Sequence, residues 1–144
     1  MKIKILLYLA IVSLLVCSCC INDYSDKMSN ALTNQLGKEM KEYDYIFLIP
    51  NSGCTGCISE AEYFFKSHVD DMKIKFVFTR IYSRKELAIR LGKSNLQKKN
   101  VCLDYENLYF FPECKESMYP VVAKVKNGVI DKLENMDILL STYK

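Results

Sequence analysis

Met28, Leu32, Leu36 and Met40 recur every four residues in otherwise polar sequence, which predicts a helix over about 26–43. Gly37 is a weak point within it. The run Tyr45-Ile46-Phe47-Leu48-Ile49 is apolar throughout and predicts a buried strand over 43–50, stopped by Pro50-Asn51. Ile58, Ala61, Phe64, Phe65 and His68 then return to helical spacing. Residues 72–82 alternate before running apolar, the pattern of a second strand. Strand, helix and strand make a βαβ unit, which implies a parallel pair joined by a right-handed crossover. Ser83 and Glu86 fit a capping box at the start of a helix over 83–91, and Gly92 ends it. Residues 94–99 read as a polar, basic loop and 100–104 as a short strand. Residues 106–111 fit either a short helix or a core-facing loop. Asn127-Gly128 between two apolar runs predicts a hairpin of 121–126 with 129–133. Pro120 opens its first strand, a position that proline tolerates. A short helix over 136–140 closes the chain. These elements together predict an α/β chain with a parallel βαβ unit and a later antiparallel hairpin.

The first residues read as an address. Lys2 and Lys4 precede an apolar stretch over 5–16, shorter than the roughly 20 residues of a membrane-spanning helix and matching the core of a secretory signal peptide. It runs into Val16-Cys17-Ser18-Cys19-Cys20. A small residue before a cysteine resembles the bacterial lipoprotein cleavage box, with Cys19 as the lipid-bearing residue. The expected organisation is a signal peptide over 1–18, a polar tether over 19–29, whose alternative reading is the start of a helix, and a domain over 30–144. An ordinary signal peptide cut nearby and an uncleaved anchor are the alternatives. Lipidation would hold the domain on a membrane outside the cytoplasm, in the cell envelope, where disulfides are permitted.

At 144 residues there is room for one domain beside such an address. The net charge of +3 is spread along the chain and gives no support for nucleic-acid binding. No Gly-rich phosphate loop is present, and His68, the single histidine, excludes a histidine-rich metal site. The chemistry must therefore come from cysteine, of which there are seven. Cys54 and Cys57 in Ser52-Gly53-Cys54-Thr55-Gly56-Cys57 are close enough to bond to each other. They sit where a buried strand gives way to a helix. The partial positive charge and free N–H groups of a helix N-terminus stabilise an anion, so a Cys54 thiolate there would form more readily. Cys102 and Cys114 suit a second, structural disulfide, contributing roughly 2–4 kcal/mol if unstrained, or two separate buried thiols. A zinc site built from all four would suit thiolate chemistry, but the spacing is not that of a zinc ribbon.

The order strand, C-x-x-C, helix, strand and, much later, a proline opening a hairpin resembles the thioredoxin-like family over about residues 40–140. Within it the chain is similar to membrane-tethered bacterial thiol–disulfide oxidoreductases. The resemblance implies Cys54 as nucleophile, Cys57 as resolving thiol, Pro120 as a cis-proline and Tyr119 as a substrate-binding residue whose backbone pairs with a bound peptide. It implies a thioredoxin-like α/β fold, a central mixed β-sheet flanked by helices, and no cofactor. The implied partners are thiols and disulfides of exported proteins and a second redox partner. Three departures stand out: Gly53 replaces the family's Trp, Leu48 replaces the buried acid six residues before the first cysteine, and Thr55-Gly56 lack a proline. The second reading is a non-catalytic thioredoxin-like lipoprotein that binds or scaffolds envelope proteins, with Cys54–Cys57 a static bond.

Overall fold

The computed structural model describes residues 19–136, with side chains from Asp23 onward. The expected signal peptide, the Cys19 side chain and all but Met136 of the expected closing helix lie outside the described residues. The first element is α1 (Cys19–Leu36). It includes the stretch expected to be a tether: Tyr24 and Met28 are buried, so this part of the chain is helix packed on the core. The helical period does not run on to Tyr43, because Gly37 turns left-handed (φ 49°) and a 3-10 helix, Gly37–Glu42, follows.

β1 (Tyr45–Pro50), α2 (Thr55–His68) and β2 (Ile74–Thr79) form the expected βαβ unit. β1 and β2 pair in parallel, Phe47 opposite Phe76. α3 (Arg84–Leu91) and the single turn α4 (Lys93–Leu96) lead to β3 (Val101–Leu103), which is also parallel to β2. The Ser83 side chain accepts a hydrogen bond from the Glu86 N–H, the N-cap half of the expected box. Residues 106–111 form turns, not a helix, and an unexpected 3-10 helix, Lys115–Met118, precedes the hairpin. β4 (Val121–Lys126) and β5 (Val129–Asn135) pair antiparallel about Asn127 (φ 56°) and Gly128 (φ 77°), the backbone of a type I′ turn. The sheet order is β3-β2-β1-β4-β5, with β4 antiparallel to β1. The fold is α/β, a five-stranded mixed sheet flanked by helices.

β1 lies at the centre and feeds both faces. Phe47 and Ile49 pack with Phe64 and Phe65 of α2 and Leu87 and Leu91 of α3. Ile46 and Leu48 pack on the other face with Met28, Leu32 and Leu36 of α1. Phe47 stacks on Phe64 (4.7 Å between centroids), while Phe65 meets Phe76 and Phe78 edge-on (5.0 Å each). One cation enters this frame. Lys75 of β2 is buried, and its Nζ donates to Glu39 Oε1 (2.7 Å) and the Lys99 carbonyl (3.3 Å) while lying 5.1 Å from the centre of the Tyr43 ring. The Lys75 hydrogen bond is the main cause holding the Glu39 carboxyl below its ordinary 4.5.

Glu39→Ala strands the buried ammonium and should cost about 3 kcal/mol in urea denaturation, whereas Lys75→Met removes the charge together with its need for a partner and should cost less. Because the folded-state pKa of Glu39 is depressed, its contribution is present above the unfolded value and lost as pH falls through the folded one. Acid melting curves below pH 4.5 should therefore fall more steeply for the native chain than for Glu39→Gln.

Candidate functional site

The end of β1 runs into Asn51, Ser52 and Gly53, and Cys54 is the N-cap of α2 (φ −68°, ψ 101°). Cys54 and Cys57 are joined by a disulfide, with Cα atoms 5.4 Å apart. Both are half-buried; Gly53, Thr55 and Gly56 around them are exposed, and Ile58 after Cys57 is buried. No side chain caps α2, so the first-turn N–H groups at the Cys54 turn are not taken by a capping side chain.

The loop before β4 closes over this turn. The Cys54 N–H donates to the Met118 carbonyl (3.1 Å). The approach is possible only because residue 53 is glycine. Its φ of 151° is rare for residues with side chains, and a Cβ there would lie 2.2 Å from the Met118 oxygen. This is the structural reason for Gly53 where the thioredoxin pattern has Trp.

Two residues named from the sequence are placed differently from expectation. The Tyr119–Pro120 bond is trans, for no cis peptide occurs among the described residues. Tyr119 is extended (φ −117°, ψ 149°) and leads directly into β4, the conformation favoured before a trans proline. Its N–H is taken by the Glu116 carbonyl (3.0 Å) and is not free to pair with a peptide. The Tyr119 ring is exposed beside Met118, and Pro120 is buried.

Cys102 and Cys114 are free thiols, not a disulfide. Both lie on the α1 side of the sheet. Cys102, on β3, lines a cleft of about 390 Å³ with Lys75 and Tyr109. Burial is the chief cause raising its thiol above the ordinary range, against the opposing pull of Lys75. The shift disfavours its thiolate, the reactive form. Cys114 is buried in the cluster that includes Tyr24 and Met28. Among the described residues no three His, Cys, Asp or Glu side chains converge as metal ligands. His68 stacks on Phe64 and shares a hydrogen bond with the Phe64 carbonyl, a packing role.

Two arginines border the turn. Arg80 follows β2 in a left-handed conformation (φ 54°) and ends the strand earlier than its apolar pattern suggests. Its Nη1 donates to the Ser52 carbonyl and to Met118 Sδ (2.7 Å each), and its Nη2 to the Tyr82 hydroxyl (3.2 Å). The guanidinium lies 4.4 Å from the Phe110 ring centre. Arg90 of α3 donates to Asn51 Oδ1 (2.6 Å) and forms a bidentate pair with Glu62 of α2 (2.8 and 3.2 Å). Glu62 thus ties α2 to α3. Met118 and both arginines were missed in the sequence, because nothing local distinguishes them from surface residues. The nearest signal is that Arg80 is the one charged residue inside the apolar end of the second strand, at 76–82.

Compared with protein-family models, curated proteins and solved structures, the chain matches none. The geometry alone therefore supports any functional reading.

Gly53→Ala should push the Met118 loop off the Cys54 turn. The expected cost is about 2–4 kcal/mol in chemical denaturation, with faster proteolysis at 115–119. Gly56→Ala meets no atom within 4 Å and should leave stability nearly unchanged.

Proposed function

We propose that this protein is a thiol–disulfide oxidoreductase of the bacterial cell envelope, built on a thioredoxin-like fold. The observation that carries the reading is the half-buried Cys54–Cys57 disulfide at the uncapped start of α2. An inert structural bond has no need of partial exposure or of a place at a helix N-terminus. On reduction, the Cys54 sulfur is free to accept from the first-turn N–H groups, which stabilises its thiolate.

The exchange then runs in two displacements. The Cys54 thiolate attacks one sulfur of a partner disulfide, forming a mixed disulfide and expelling the partner's second sulfur, which takes a proton. The Cys57 thiolate attacks Cys54 Sγ, restoring the Cys54–Cys57 bond and releasing the remaining partner thiolate. Two electrons pass from the pair to the partner. The same steps in reverse oxidise a partner dithiol, and the reduction potential sets the direction. The lipid at Cys19 would tether the domain to the membrane, and the partners would be cysteines of exported proteins. A second dithiol or disulfide, also exported or membrane-bound, would recharge the pair.

The trans Pro120 and the engaged Tyr119 N–H favour a second reading, a non-catalytic envelope-binding module with a static disulfide. The reduction potential separates the two. A value of about −120 to −270 mV is expected for a cycling enzyme, against one below about −300 mV for a structural bond. Cys54→Ser should abolish reduction of a model disulfide, and Cys57→Ser should accumulate the mixed disulfide, trapped with acid and resolved by mass spectrometry. A Cys54→Ser variant that retained most of the activity would overturn the oxidoreductase reading.

A further inference from the structure

We propose that Arg80 is a specificity residue, which selects partner segments bearing a side-chain carboxylate next to the reacting cysteine. The inference rests on the oxidoreductase reading above and names its substrate class.

The two arginines beside the disulfide differ in one respect. Arg90 is neutralised by the bidentate Glu62 pair. Arg80 bonds only to neutral acceptors, the Ser52 carbonyl, Met118 Sδ and the Tyr82 hydroxyl, and to the face of Phe110. No carboxylate pairs with it among the described residues. A fixed cation without a counter-ion keeps its attraction for an approaching anion. Of the five N–H donors of a guanidinium, these three bonds leave about two for a ligand. The Ser52 contact places the cation beside the turn that carries Cys54.

The surroundings suit a polypeptide. Met118, whose carbonyl meets the Cys54 N–H, and its neighbour Tyr119 are 40% and 46% exposed, and Tyr82, bonded to Arg80, is 74% exposed. An extended segment presenting its disulfide to Cys54 would lay apolar side chains on Met118 and Tyr119 and bring an adjacent carboxylate to Arg80. The redox step is the exchange already given, two electrons passing from the Cys54/Cys57 dithiol to the peptide disulfide.

The test uses the pre-reduced full chain, freed of reductant, in single turnover. Its substrates are two self-quenched disulfide peptides that differ only in Glu or Gln beside each cysteine. At low salt the Glu peptide should react about three- to fivefold faster, the worth of one exposed ion pair, and high salt should remove the difference. Arg80→Gln should bring the ratio to about one, and Arg80→Lys should retain part of the preference. Equal rates in the native protein, or a preference that survives in Arg80→Gln, would overturn the proposal, and the native comparison needs no variant to fold. If the native chain reduces neither peptide, the oxidoreductase reading itself fails, an outcome distinct from turnover without preference.

Discussion

The arrangement of the site depends on the close approach of Gly53 to the Met118 carbonyl. Through it the end of β1 and the loop before β4 share a hydrogen bond at Cys54. Arg80 adds the end of β2 by bonding Ser52 on one side and Met118 on the other. Arg80 is itself held from below. The buried Asp104 accepts hydrogen bonds from the Thr79 hydroxyl (2.9 Å) and the Leu108 and Tyr109 N–H groups (2.9 and 3.1 Å). That fixes the loop presenting Asn107 to the Arg80 N–H and Phe110 to its guanidinium. A buried carboxylate far from the sulfurs thus helps to set the geometry around them.

Such a site carries backbone strain. Arg80 and Asn107 hold left-handed conformations, each of order 1–3 kcal/mol. The frame around them can bear this. Ile46, Phe47, Leu48 and Ile49 of β1 are all buried, each contributing about 1.5–3 kcal/mol, with Phe76, Val77 and Phe78 beside them on β2. The central strands are therefore fixed by burial on both faces, and irregular backbone collects at their C-terminal ends, where the disulfide lies.

This division explains what could be read in advance. The parallel β1–β2 pair, the helix between them, the Asn127-Gly128 hairpin and the Ser83 cap follow from local periodicity and turn chemistry, and the structure has them. Cys54 and Cys57 were legible because their spacing alone brings them together. The close meeting of Gly53 with Met118 was not, since it joins positions that no local pattern relates. The helix through Tyr24 was legible only as the alternative to a tether, because Asn22, Asp23, Ser25 and Asp26 make that stretch polar. Arg80 was hidden because a strand's apolar pattern does not show where its φ changes sign. The second disulfide between Cys102 and Cys114 was a spacing argument, and spacing says nothing of whether two thiols face each other once an edge strand and a buried loop have packed.

The balance between a cycling and a static disulfide turns on what reduction would release. The Cys54 N–H already belongs to Met118, a backbone bond that does not use the sulfur atoms, so breaking the S–S bond does not by itself require the Met118 loop to be rebuilt. The same loop occupies the Tyr119 N–H. On the proposed oxidoreductase reading, a partner would therefore be recognised less by backbone pairing at Tyr119 than by what its side chains meet at Met118, Tyr119 and Arg80.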